Sequence, residues 1–130
     1  MKIAITIVRV LLGALFVFSA VMVLFNIPMD QPKLGAAATS FMTGLMATGY
    51  FMKLLKITEL LCGLLLIINR WAPLATVALF PISLNIVFFH VFLSEPKDIP
   101  VAVVVLLANL FLGYAYRKNY EGLLASKPSI

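Results

Sequence analysis

The chain has 130 residues, of which 63% are hydrophobic and 12% are charged, and its formal net charge is +5. A soluble domain of this length needs a largely wettable surface, and this chain has too few polar side chains to cover one. Composition therefore excludes an ordinary soluble globule, a disordered chain and a collagen-like fibre, and it indicates a single-domain integral membrane protein.

Four apolar segments predict membrane-spanning helices, because a bilayer core of about 30 Å needs roughly 20 helical residues. The predicted spans cover residues 3–27, 53–68, 73–93 and 99–116. Asn26, Pro28 and Asp30 end the first span, since proline lacks an amide donor and cannot continue a helix. Arg9 interrupts this span and Phe18-Ser19-Ala20 is a poor cleavage site, so a retained helix is favoured over a signal peptide.

Residues 34–50, between the first two spans, carry apolar side chains at nearly helical spacing, with serine and threonine among them. This pattern predicts a short amphipathic helix on the outer membrane surface or capping the bundle, and a plain lid or spacer is the alternative. Residues 1–118 are then one transmembrane domain, an all-α polytopic membrane four-helix bundle, and residues 119–130 are a cytoplasmic tail. Uninterrupted apolar runs argue against the alternating strands of a membrane barrel.

Four spans place both termini on one side of the membrane, and the basic residues are divided unequally between the two sides. Lys2, Arg9, Arg70, Arg117, Lys118 and Lys127 share the side of the termini, and Lys33, Lys53 and Lys97 lie on the other. The positive-inside rule therefore predicts that both termini are cytoplasmic. Trp71, Tyr114, Tyr116 and Tyr120 would form an aromatic belt on that side.

Lys56 and Glu59 are the most informative residues in the second span, because a charge near the bilayer centre costs roughly 2.5–3.5 kcal/mol. They are three residues apart and so share one face of the helix. A structural and a functional interpretation carry equal weight. In the structural one, the residues form an internal ion pair that holds the bundle together, or Glu59 is neutral; in the functional one, they are an acid–base pair that faces a ligand.

The third span adds His90, the only histidine, and Asn85. His90 lies in the outer half of the span, where it either exchanges protons and hydrogen-bonds a carbonyl, or caps polar loop groups at the interface. Asn85 lies near the depth of Lys56 and is expected to face inward and to join Lys56 and Glu59 in one network. Pro81, one turn earlier, predicts a helix kink.

Nearer the cytoplasmic side, Arg9 has a long side chain and is expected to snorkel as an interfacial anchor. Asn109 is expected to make an interhelical hydrogen bond. Gly13, Gly63 and Gly113 are expected to permit close approach of neighbouring helices, because glycine has no side chain to separate them.

Several kinds of chemistry have no sequence support. The chain has no nucleophile elbow, phosphate loop, dinucleotide fingerprint or HExxH pattern, and no residue cluster with zinc spacing. One histidine cannot supply a bis-histidine haem, and Cys62, the single cysteine, cannot form an intramolecular disulfide. No metal and no intrinsic cofactor are expected, and the catalytic residues are unknown; the chain is at most a subunit of an oxidoreductase complex.

Three sequence features occur together in the central segment: Thr-Gly-Tyr at 48–50, Lys56 and Glu59 followed by Gly63, and Arg70 with Pro-Leu-Ala at 73–75. With the opening Arg-Val-Leu-Leu-Gly at 9–13, they resemble the DoxX family of small four-helix bacterial membrane proteins. The resemblance covers nearly the whole chain. It implies an inner-membrane protein with four spans, and some relatives belong to redox systems that deliver electrons to quinone. Glu59, with Lys56 beside it, is the functional candidate carried over.

Three functions are compatible with these features. The preferred one is a redox-linked membrane subunit that binds a quinone-like lipophilic molecule in a polar intramembrane pocket of Glu59, Lys56, Asn85 and His90. The alternatives are a lipid or small-lipophile binding or carrier protein, and a structural or assembly subunit with no ligand. The expected partners are the lipid bilayer, redox proteins and further copies of the chain. Nucleic acid is not expected, because the basic residues form no stripe.

Overall fold

A computed structural model describes residues 1–25, 35–93 and 99–123, and it confirms the all-α class: no strand occurs in these residues. The helices are α1 (Lys2–Leu24), α2 (Ala36–Ala47), α3 (Phe51–Ile68), α4 (Ala72–Phe92) and α5 (Ile99–Ala115). A short 3₁₀ helix, Arg117–Tyr120, follows α5. Several predicted features lie outside the described residues. They are the end of the first span at Asn26, Pro28 and Asp30, the loop at 94–98, and the basic residues Lys33, Lys97 and Lys127.

A tight turn joins α3 to α4. Asn69 ends α3 with φ 58°, a left-handed conformation that asparagine tolerates well, and Trp71 follows with φ 50°. The amide of Arg70 donates to the carbonyl of Leu65 at 3.0 Å, which satisfies an end carbonyl of α3. A proline, Pro73, lies in the first turn of α4, where its missing donor costs little. The turn therefore makes α3 and α4 antiparallel neighbours.

Four helices close into a ring around one hydrophobic core. α1 packs against α3 and α5, and α4 packs against the same two helices, while α2 packs on α3. The buried core residues include Leu12, Phe16, Leu66, Leu79 and Leu112. Large apolar side chains such as Leu61, Leu64, Leu107 and Leu110 are exposed on the outside of the ring. Large apolar side chains thus lie both in the core and on the outer surface of the ring.

Two of the four ring helices, α1 and α4, are long and apolar enough to cross a membrane by length and composition within the described residues. The helix α3 carries three charged residues, Lys53, Lys56 and Glu59, and α5 has only 17 residues. Spanning by α3 and α5 therefore stays a prediction.

The closest approach in the ring is between α1 and α3, at Gly13 and Gly63. A Cβ atom added to Gly13 would lie 2.7 Å from the carbonyl oxygen of Gly63, and one added to Gly63 would lie 2.7 Å from that of Gly13. Real Cβ atoms essentially never approach so closely, so the expected role of these two glycines is confirmed. The same expectation for Gly113 is wrong, because a Cβ atom there would meet nothing within 4 Å.

Replacing either contact glycine tests this crossing. We expect Gly13→Ala and Gly63→Ala each to lower the free energy of unfolding by about 1–3 kcal/mol, because each methyl group forces two backbones apart. Thermal unfolding of the detergent-solubilised protein measures the effect. Gly113→Ala is the matched control, and its better helix propensity should leave stability unchanged or raise it by up to about 1 kcal/mol. Equal effects at all three glycines would contradict the close crossing.

Candidate functional site

A cavity of about 620 Å³ lies among α1, α2, α3 and α4. Lys56, Glu59, Asn85 and His90 all line it, and Ser19 of α1 joins them. Its apolar lining includes Phe16, Phe41, Met42, Phe51, Met52 and Phe89. A mostly apolar cavity of this size with a few converging polar groups is the usual form of a small-molecule site.

Lys56 and Glu59 form an ion pair on the cavity wall. Lys56 Nζ lies 3.0 Å from Glu59 Oε2, as expected for residues one helical turn apart. The same ammonium group donates a hydrogen bond to Ser19 Oγ at 3.1 Å. Glu59 is only 2% exposed, so its charge depends on Lys56 for compensation. Lys56 thus links the acid on α3 to the hydroxyl group on α1.

Sequence reasoning missed Ser19 as a member of this site. A single serine in the apolar run of α1 carries no motif, and its role depends on α3 lying antiparallel against α1. The one signal in the sequence was that Ser19 on the first span and Lys56 on the second would lie at a similar depth in the membrane.

His90 has a defined tautomer because of its hydrogen bond. Its Nδ1 lies 2.7 Å from the carbonyl oxygen of Ile86, one turn earlier in α4. A carbonyl can only accept, so Nδ1 carries the proton and Nε2 of the neutral ring is left as an acceptor. The ring also packs edge-on against Phe89, with centroids 5.5 Å apart. His90 therefore presents one acceptor nitrogen, Nε2, that its own helix does not use.

The structure corrects the expectation for Asn85. It lines the cavity with Lys56 and Glu59, but its side chain is exposed and does not face the core of the ring. Ser83, two residues earlier, takes the inward position and is fully buried. A helix turns about 100° per residue, and depth along the chain does not show which face a residue occupies.

Arg9 is also placed differently from the expectation. It does not snorkel to the surface but is buried, at 8% exposure, between α1 and α3. Its Nη1 donates to the carbonyl oxygens of Leu66 and Ile67, the latter at 3.2 Å. The last carbonyls of a helix have no intrahelical donor and carry partial negative charge, so a guanidinium there is favourable. Arg9 therefore fixes the end of α3 against α1.

The helix α2 and the turn after it cover one side of the cavity. Phe41 of α2 packs on Phe89 of α4, with ring centroids 5.5 Å apart. The Thr48 hydroxyl donates to the carbonyl of Leu45 at 2.8 Å and accepts from the amide of Phe51 at 3.0 Å. It therefore joins the end of α2 to the start of α3, with Gly49 at φ 77° between them. This geometry accounts for the threonine and the glycine of the Thr-Gly-Tyr sequence.

A family model described as DoxX matches residues 4–91, which is more than half of the chain. The matched segment includes every residue that lines the cavity. No curated protein and no solved structure matches the chain.

Removing one charge of the ion pair tests its energetic role. We expect Lys56→Met to lower the free energy of unfolding by about 2–4 kcal/mol, because it leaves the Glu59 carboxylate buried without its cation. The double variant Lys56→Met/Glu59→Gln should recover at least about 1 kcal/mol, since it removes both charges. Chemical denaturation in detergent gives these values.

The matched control for this cycle is Lys53→Met. Lys53 is exposed one turn earlier on α3, so its loss should change stability by no more than about 0.5 kcal/mol. If Lys56→Met proved as stable as Lys53→Met, the ion pair would not contribute to the stability of the fold.

Proposed function

The chain belongs to the DoxX family, and we propose that it is a redox-linked subunit of the bacterial inner membrane whose cavity binds a quinone-like lipophilic molecule. The observation that carries this proposal is the cavity itself, which brings Lys56, Glu59 and His90 together inside an apolar lining. These residues come from two helices and are up to 34 positions apart in the chain.

We place all four ring helices across the membrane. Lys56 and Glu59 have side chains only 12% and 3% exposed, so they are shielded from lipid and their burial cost is offset within the protein. Lys53, near the start of α3, is exposed where a long side chain reaches the interface. The 17 residues of α5 extend about 26 Å at 1.5 Å per residue, close to the thickness of a bilayer core. Basic residues then favour cytoplasmic termini.

A quinone ring matches the polar groups of the cavity. Its two carbonyl oxygens are acceptors, and the ammonium group of Lys56 is a donor on the cavity wall. Reduction of a quinone consumes two electrons and two protons. Glu59 and His90 are positioned to exchange those protons at the ring, while a redox partner protein supplies the electrons. The phenylalanine and methionine side chains cover the apolar part of the ligand.

A carrier for a lipid or small lipophile is the second candidate, and one observation favours it. Met42 and Met52 line the cavity beside several phenylalanines, and flexible methionine side chains adapt to ligands of different shape. In that function Lys56 and Glu59 bind a polar head group without electron transfer.

Mass spectrometry of the organic extract of the purified protein tests the ligand. We expect wild type to retain a quinone, and Glu59→Gln and Lys56→Met to retain at least about tenfold less per mole of protein, since they lose a polar contact to the ring. Lys53→Met, which lies outside this cavity, should retain the wild-type amount.

Two other results of the extraction would change the proposed function. A different lipophile that is lost in Glu59→Gln would replace the quinone with a carried lipid. Bulk phospholipid alone in all four samples would contradict a retained quinone and leave the ion pair as a clamp in an assembly subunit.

A further inference from the structure

The hydroxyl group of Ser19 carries a proton that no other described residue accepts. Its oxygen accepts a hydrogen bond from Lys56 Nζ at 3.1 Å, so its own proton points away from that ammonium group. Thr58 and Thr76 instead donate their hydroxyl protons to the carbonyl four residues earlier in their own helices, at 2.9 Å and 2.8 Å. Ser19 makes no such bond among the described residues, and it lines the cavity. Its hydroxyl group is therefore a donor available at the cavity wall.

The ammonium group of Lys56 also has a donor left for a ligand. An ammonium group has three N–H donors and no acceptor. Two of them are directed to Ser19 Oγ at 3.1 Å and to Glu59 Oε2 at 3.0 Å. Lys56 lines the cavity too. Its third N–H is then available to an acceptor atom of a molecule in the cavity, beside the Ser19 hydroxyl group.

The charge balance of the cavity favours a neutral ligand. Among the described residues that line it, Lys56 and Glu59 are the only lysine, arginine, aspartate or glutamate, and they already form an ion pair. A carboxylate or phosphate placed beside them would add a charge with no partner in an apolar surrounding, which is costly. The acceptor atoms that meet the two donors therefore belong to an uncharged group.

The spacing of the two donors indicates how many acceptor atoms they meet. Ser19 Oγ and Lys56 Nζ lie 3.1 Å apart, close to the separation of two oxygen atoms on adjacent carbons of a ring. Two such oxygens can each take one nearly straight hydrogen bond. A single oxygen bound to both donors would close a three-membered hydrogen-bond ring with bent, weak bonds.

We infer that Ser19 and Lys56 bind two neighbouring acceptor oxygens of the ligand, and that the ligand is a benzoquinone with an alkoxy group next to a carbonyl. The inference rests on the proposed function and narrows its ligand from quinones in general to this class. An alkoxy oxygen carries no proton and can only accept, as both donors require. A ring with a methyl group at that position leaves a donor of the site unpaired, and sites built to hydrogen-bond an oxygen discriminate against such analogues.

Two matched probes test this selectivity: a decyl benzoquinone with two adjacent methoxy groups, and the same molecule with methyl groups in their place. Titration of the purified protein in detergent gives the Kd of each. We expect wild type to bind the methoxy probe about three- to tenfold more tightly, the effect of one hydrogen bond. Ser19→Ala should lose this preference by weakening the methoxy probe alone. Its unchanged affinity for the methyl probe would show that the variant is folded.

Two control variants separate a direct contact from a structural role. Ser19→Thr keeps a hydroxyl group and should retain most of the preference for methoxy groups. Thr58→Val should behave as wild type, because Thr58 lies outside this cavity and its hydroxyl group donates to its own helix.

Three results would overturn the inference. Equal affinity of wild type for the two probes would do so while leaving quinone binding intact. Equal weakening of both probes in Ser19→Ala would show that Ser19 acts solely by positioning Lys56. Binding of neither probe to wild type would overturn the proposed function, and this inference with it.

Discussion

The backbone contact between Gly13 and Gly63 is the constraint on which the rest of the ring depends. Each glycine leaves room for the carbonyl group of the other, so α1 and α3 cross closely at this point. Polar contacts fix the register on both sides of the crossing. Arg9 binds the last carbonyls of α3 on one side, and Lys56 binds Ser19 on the other. Glycines without these polar contacts would bring the helices together without fixing their alignment.

The candidate site follows from that alignment. With α3 held against α1, the side chains of Lys56 and Glu59 project between the helices, and the tight turn at Asn69 then brings α4 alongside. α4 adds His90 to the cavity and places Ser83 in the core. Glu59 lines the cavity and is itself buried, and its carboxylate contacts the Lys56 ammonium group.

The sequence predicted well the placement of residues whose surroundings depend on a single helix. The spacing of Lys56 and Glu59 fixes their shared face, and α3 ends at Ile68, directly before Asn69, as the apolar run predicts. The prediction was wrong, or none was made, for residues whose contacts depend on a neighbouring helix. Burial of Arg9 depends on the position of the α3 end, and a Cβ atom added to Gly113 would meet nothing within 4 Å among the described residues. Ser19 acquires its role only through the register of α1 and α3.

The most direct test of the account is photoaffinity labelling of the protein in native membranes with a photoreactive short-chain quinone. Binding in the cavity predicts labels on α2, α3 and α4 at cavity-lining residues such as Met42, Met52 and His90. An excess of unlabelled quinone should suppress those labels, and Glu59→Gln should weaken them. Labels confined to outward residues such as Leu61 and Leu107, with no competition, would contradict a ligand site between the helices.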